Sequence, residues 1–204
     1  TPIRLVAGFL TVGVWTLLSR VLGFVRDILI AAFLGAGPVA EAFLIAFALP
    51  NMFRRFFAEG AFNMAFVPMF SKKVEGGDDA LGFARDAFAG LATVLIGFSV
   101  LAVLAMPWLV AAMAGGFIGD ARFDLAVLYG RIAFPYILFI SLAALLSGVL
   151  NAVGRFVAAA AAPVLLNVLF IGAMTWAVLR GWDVGDALAW TVPVAGIAQL
   201  VLVW

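Results

Sequence analysis

The chain has 204 residues, of which 67% are hydrophobic and 11% charged, and its formal net charge is +1. Soluble domains carry about 25% charged residues, so this composition excludes an ordinary soluble domain and indicates an integral membrane protein. Because the chain contains neither Cys nor His, it cannot form a thiolate or imidazole metal site, a His general base or a disulfide. We therefore expect no enzyme, no metal, no cofactor and no nucleic-acid partner.

Six apolar stretches are near or above the length of about 20 residues that a helix needs to cross a bilayer. In chain order they cover residues 3–33, 38–70, 83–113, 125–151, 156–179 and 187–204. The predicted fold class is therefore all-α, a polytopic membrane protein with six transmembrane helices. Gly35 and Pro38 predict the turn between the first two helices. Pro50 and Pro135 should bend their helices, and Asn51 should hydrogen-bond the backbone near the first bend.

Basic residues in the connections favour a cytoplasmic N-terminus. Five lie on one side of the predicted membrane (Arg4, Lys72, Lys73, Arg85 and Arg155) and two on the other (Arg122 and Arg180). The positive-inside rule places the more basic side in the cytoplasm. Residue 204 ends inside the sixth apolar stretch, so we expect residues 1–204 to be one transmembrane unit of a longer protein.

The first predicted helix contains three charges, Arg20, Arg26 and Asp27, inside an otherwise apolar run. A charge at the bilayer centre costs about 2.5–3.5 kcal/mol on insertion scales, so it faces protein or a water-filled cavity. Arg20 and Asp27 are seven residues apart and share a helix face, whereas Arg26 points about 100° away. Alternatively, Arg26 and Asp27 lie near a helix end and extend to the membrane surface, an explanation that does not fit Arg20.

The second predicted helix repeats this pattern with Arg54, Arg55 and Glu59. Arg55 and Glu59 are four residues apart and can pair along one face. Arginines outnumber acids in the two helices, which predicts a cavity that attracts an anion, and guanidinium groups suit phosphate because they bind it bidentately. Glu41 lies in the first helical turn, where the helix dipole favours a carboxylate; a gating or charge-pair role is the alternative. These arginines can also simply fasten helices together, an interpretation that stays open for Arg55 above all.

Several segments carry a specific resemblance to a known family. They read SRVLGFVRD at 19–27, FLGAG at 33–37, LPNMFRRFFAEGAF at 49–62, AFVP at 65–68, FPYIL at 134–138 and APVLLN at 162–167. This pattern resembles the MurJ/MviN lipid II flippases of the multidrug/oligosaccharidyl-lipid/polysaccharide exporter superfamily, and the similarity extends over the whole chain.

The resemblance implies a multi-pass protein of the bacterial inner membrane that acts in peptidoglycan synthesis and cell shape. Such a protein flips the undecaprenyl-pyrophosphate-linked precursor from the cytoplasmic to the periplasmic leaflet by alternating access. Its fold has two lobes, so the six predicted helices would form the N-terminal lobe, and the C-terminal lobe would be absent. Its partners would be the lipid-linked pyrophosphate, membrane lipids and that second lobe.

The family's functional positions carry over residue by residue. The resemblance implies that Arg20, Arg26 and Arg54 bind the pyrophosphate in the cavity. Arg55 and Glu59 match the family's Arg-Arg-x-Phe-Ala-Glu-Gly segment. Glu41 stands where Asp occurs in the family, which keeps the charge but lengthens the side chain.

Two alternatives of different kinds remain open. One is another polysaccharide-lipid flippase, of the O-antigen type, whose substrate is also a lipid pyrophosphate. The other is a scaffold fragment that transports nothing. A drug exporter for cations is disfavoured, because its cavity would be dominated by acids.

Overall fold

The computed structural model describes residues 2–204, apart from the side chains of residues 2–4, 58, 59 and 61. The side chains of Arg4 and Glu59, used in the predictions above, therefore lie outside the described residues. The described part is helical and contains no strand. Its α-helices are α1 (Pro2–Leu34), α2 (Pro38–Arg54), α3 (Ala61–Gly76), α4 (Ala80–Leu104), α5 (Met106–Met113), α6 (Ala121–Ala133), α7 (Tyr136–Ala152), α8 (Val157–Arg180) and α9 (Val184–Val203). A π-helical segment, Arg55–Gly60, joins α2 to α3, and a 3₁₀ turn, Gly115–Phe117, follows α5.

Within the described part of the chain, five helical stretches are long and apolar enough to cross a membrane. They are Leu5–Leu34, Ala80–Leu104, Ala121–Ala152, Val157–Arg180 and Val184–Val203. This finding confirms the predicted fold class, an all-α polytopic membrane protein. The predicted span 38–70 is divided between α2, the π-helical segment and α3, so the count of six transmembrane helices stays a prediction.

The predicted span over residues 83–113 is divided between two helices. α4 ends at Leu104 and α5 begins at Met106, with Pro107 in its first turn. Proline has no N–H, so Pro107 leaves the carbonyl of Val103 without its helical donor. The guanidinium of Arg131 takes that place, since its Nε donates to the Val103 oxygen at 3.1 Å. A side chain from α6 thus stabilises the break between α4 and α5.

The turn between the first two helices forms as predicted. α1 ends at Leu34, Gly35 adopts a left-handed φ of +67°, and α2 begins at Pro38, where a proline costs no hydrogen bond. Asn51 also bonds the backbone beside Pro50, because its Nδ2 donates to the carbonyl of Phe47 at 2.9 Å.

The core lies where α2, α6, α7 and α9 meet. The largest fully buried side chains include Phe43, Tyr129, Phe134, Tyr136 and Phe170. α1 lies at the side of this core and packs mainly on α8, so none of the side chains described for α1 is fully buried.

α7 and α9 approach closely at Gly196, which predicts a stability effect. A Cβ added there would lie 2.8 Å from Cδ2 of Tyr136 and 3.0 Å from Cβ of Phe139. We expect Gly196→Ala to lower the free energy of unfolding by about 1–3 kcal/mol, as overpacking does. Thermal unfolding of the purified protein measures the loss.

Gly172 provides the matched control, because a Cβ there would meet nothing within 4 Å. Gly172→Ala should be neutral or stabilise α8 by up to about 1 kcal/mol, the helix propensity difference. Equal effects of the two substitutions would contradict the close approach at Gly196.

Candidate functional site

Three arginines lie on one cavity of about 690 Å³ between α1, α2, α3, α7, α8 and α9. Arg20 and Arg26 come from α1. Arg54 is the last residue of α2, directly before the π-helical segment, a type of irregularity that is frequent at functional sites. Among the described residues, the cavity lining contains no carboxylate. We call this space the arginine cavity; its electrostatic potential favours an anion.

Arg26 is held in place by a buried amide on α8. Ser19, Gly23 and Arg26 recur at helical spacing on the face of α1 that meets α8. Asn167 lies directly against this face, because its Nδ2 would be in ordinary contact, at 3.6 Å, with a Cβ placed on Gly23. Arg26 Nη1 donates to Asn167 Oδ1 at 2.9 Å, and Asn167 Nδ2 donates to the Ser19 carbonyl at 3.0 Å. One amide thereby fixes both the α1–α8 contact and the guanidinium.

Arg26 also contacts its neighbour Asp27. Its Nε and Nη2 donate to Asp27 Oδ1 at 3.0 and 2.9 Å, while the Asp27 side chain stays 64% exposed. An ion pair with so exposed a partner contributes little stability. A guanidinium has five N–H donors, so Asp27 and Asn167 leave Arg26 with donors for an anion in the arginine cavity.

The arginine cavity also collects every carboxamide side chain of the chain. These are Asn51, Asn63, Asn151, Asn167 and Gln199. Gln199 of α9 joins this helix to α8 and α7. Its Nε2 donates to the Ala162 carbonyl at 2.8 Å, and its Oε1 accepts from the Tyr136 hydroxyl at 3.1 Å. Asn63 differs, because its Oδ1 is buried without a partner among the described residues. The cavity thus offers neutral polar groups besides its guanidiniums.

The sequence interpretation missed this carboxamide set. Asn63, Asn151 and Gln199 are not among the predicted site residues, and Asn167 entered only as part of a segment that resembles the family. A usable signal exists, since polar side chains inside apolar spans commonly face other helices or a water-filled path.

Glu41 and Arg55 do not line the arginine cavity. Glu41 Oε2 pairs with Arg122 Nη1 at 2.6 Å, which joins the start of α2 to α6. Arg122 Nε also donates to Asp120 Oδ2 at 2.8 Å, and this hydrogen bond holds the pKa of the Asp120 carboxyl below its usual value. Arg55 is exposed and does not line the cavity. Its predicted pairing with Glu59 involves a side chain outside the described residues.

Comparison with known proteins identifies the family. The family model described as lipid II flippase MurJ matches residues 30–203. A probable lipid II flippase MurJ of Rhizobium meliloti is 48% identical over 98% of this chain and 39% of that protein. The lipid II flippase MurJ of Burkholderia cenocepacia is 45% identical, with the same shares covered. The chain therefore spans about 39% of the length of these curated relatives.

A solved structure agrees in fold. The lipid II flippase MurJ in an inward closed conformation superposes with a TM-score of 0.75 at 26% identity, covering 93% of this chain and 40% of that one. The bacterial relatives and the five apolar helices indicate a multi-pass protein of the bacterial inner membrane. With the family model matching most of its residues, the predicted resemblance is confirmed: the chain belongs to the lipid II flippase MurJ family.

Proposed function

We propose that the longer protein containing this chain flips lipid II from the cytoplasmic to the periplasmic leaflet, and that the arginine cavity binds its pyrophosphate. The observation that carries this proposal is the convergence of Arg20, Arg26 and Arg54 on a cavity whose described lining has no carboxylate. The protein acts as a transporter and breaks no bond of its substrate.

The physical problem of flipping is the charge of the head group. Moving an ionised group from water into hydrocarbon costs far more than thermal energy unless the charge is paired and hydrogen-bonded. Guanidinium groups replace the water around the phosphates and stay ionised in a desolvated site. The three arginines thus supply a polar path that lipid tails cannot offer.

The carboxamides suit the neutral part of the same head group. Asn63 presents a buried oxygen without a partner among the described residues, and such an acceptor gains most from a ligand donor. Sugar hydroxyls and amide groups provide such donors. Charge recognition on α1 and α2 is therefore combined with neutral hydrogen bonding from α3 and α7.

Transport follows from alternating access of the two lobes. Residues 1–204 contribute one lobe, and the C-terminal lobe of the longer protein closes the other side of the cavity. Rocking of one lobe against the other moves the opening between leaflets around a fixed site. In this proposal the N-terminus lies in the cytoplasm, as the distribution of basic residues in the connections favours.

A leaflet-exchange assay tests the function. The full-length protein is reconstituted into vesicles with fluorescent lipid II, and a membrane-impermeant quencher reports which leaflet holds the label. We expect the protected half of the label to become accessible in vesicles with the protein and to stay protected in empty ones. A polyprenyl pyrophosphate bearing an O-antigen sugar serves as the competing substrate. Equal transfer of both lipids would assign the protein to a general lipid-pyrophosphate exporter, and no transfer would refute transport.

A further inference from the structure

We propose that the turn between α8 and α9 binds a phospholipid head group that carries both a primary ammonium and a phosphate, as phosphatidylethanolamine does. This inference concerns a second site, and it holds whether or not the arginine cavity transports lipid II. It rests on a separate cavity of about 500 Å³ on the outer face of α8 and α9.

Three tryptophan rings line this second cavity. Trp176 comes from α8, Trp182 from the turn and Trp190 from α9. They are 50%, 60% and 61% exposed, so each leaves part of its ring surface accessible to a ligand. Tryptophan faces are the strongest cation-binding surfaces among aromatic side chains. We call these three residues the tryptophan cluster.

Two carboxylates line the same cavity, Asp183 and Asp186. Asp183 caps α9, since its Oδ1 accepts from the Asp186 amide nitrogen at 2.8 Å. This N-cap hydrogen bond uses Oδ1 of Asp183, so Oδ2 can accept a hydrogen bond from a ligand. Carboxylates beside aromatic faces suit an ammonium group, which donates hydrogen bonds to the acids while it lies against the rings.

A cation also contacts the tryptophan cluster. The guanidinium of Arg180 lies over the ring of Trp176, 4.6 Å from its centroid, at the end of α8. A guanidinium is suited to phosphate oxygens. The acids line the cavity and the guanidinium is stacked on one of its lining rings, and that arrangement complements a zwitterion.

The position of the site fits a head group. The turn at Gly181, with a left-handed φ of +68°, separates two helices that are each long enough to cross the membrane. A turn of this kind lies at the membrane surface, where lipid head groups are. Interfacial enrichment explains tryptophans alone, and the helix dipole explains acids at the start of α9 alone. Neither effect predicts that the tryptophans and the acids line the same cavity, or that an arginine is stacked on one of the rings.

The chemistry predicts an order among lipids. An ethanolamine ammonium has N–H donors for both carboxylates. A choline head group keeps the cation–π attraction but has no N–H, and a glycerol head group has no cation and is repelled by the acids. We expect ethanolamine lipids to bind best, choline lipids less well and glycerol lipids least.

Native mass spectrometry of the full-length protein tests this order. The delipidated protein is incubated with an equimolar mixture of the three lipids with identical acyl chains, and retained adducts are counted. We expect the double variant Asp183→Asn with Asp186→Asn to retain about tenfold less ethanolamine lipid, the effect of losing one charge-assisted hydrogen bond. Asparagine caps a helix as well as aspartate does, so the variant should fold, and its thermal unfolding verifies this.

Asp124→Asn is the matched control, because Asp124 is an exposed carboxylate in the first turn of α6 and lies outside the second cavity. It should leave the lipid preference unchanged. Trp190→Leu should weaken retention, whereas Trp108→Leu, at an exposed ring elsewhere, should not. Equal retention of glycerol and ethanolamine lipids would overturn the proposal. So would an unchanged preference in the folded double variant.

Discussion

Arg54→Ala in the full-length protein should abolish transfer of lipid II between leaflets while expression and membrane insertion stay normal. Arg54 lines the arginine cavity at the end of α2, and in this proposal its guanidinium binds the pyrophosphate. Losing a hydrogen bond to a charged group costs about 1.5–3 kcal/mol, or roughly 10- to 150-fold in affinity. We expect Arg20→Ala to have the same effect, and the leaflet-exchange assay measures both.

Two further variants sharpen this test. Arg54→Lys keeps the charge but loses the planar fork that binds two oxygens, so it should transfer lipid II at an intermediate rate. Arg85→Ala removes a charge from an exposed position near the start of α4 and should leave transfer unchanged. Normal transfer by Arg20→Ala and Arg54→Ala would remove the pyrophosphate assignment.

The second large effect is expected at Asn167, which positions Arg26. Asn167 is only 4% exposed, and its Oδ1 accepts from Arg26 while its Nδ2 donates to Ser19. Asn167→Leu keeps the branched shape of the side chain but removes the acceptor that orients the guanidinium. We expect lipid II binding to weaken about tenfold, the value of one hydrogen bond to a charged group. Titration of the purified protein with lipid II, followed by native mass spectrometry, reports this affinity.

Thr175→Val on the same helix is the control for this change. Thr175 is exposed and its hydroxyl bonds its own helix at Ile171, so its loss should leave binding intact. Thermal unfolding separates a positioning effect from a folding defect. If Asn167→Leu is well folded and binds lipid II normally, the positioning role of Asn167 is wrong.

The sequence was most informative where placing a residue type in its environment costs free energy, as for a charged side chain in a membrane. Arg20, Arg26 and Arg54 stand out within apolar stretches, because each charge in a membrane must find water, protein or a ligand. This cost can be judged without knowing which residue contacts the charge, so each candidate is identified independently of the others. The turn at Gly35 and Pro38 was predictable for a similar reason. Glycine permits a positive φ, and proline suits the first position of a helix, so each residue acts on its own local backbone.

Contacts between distant residues were beyond that reasoning. The break at Ala105 depends on Arg131, which reaches the Val103 carbonyl from another helix. Glu41 was weighed as a helix-dipole residue or as a gating or charge-pair residue, but only the structure names Arg122 as its partner. Periodicity indicates which face of a helix a residue occupies, but it does not identify the helix opposite that face.

The amino-acid sequence by itself determined the class of this protein, its all-α membrane fold, its family and the arginines that require an explanation. Tertiary structure decided which of these charges share a space. It placed Asn167 against Ser19 and Arg26 and collected all five carboxamides on the arginine cavity. The reason is physical: the cost of a buried charge is a property of one residue and its local environment, whereas a cavity arises from the packing of several helices.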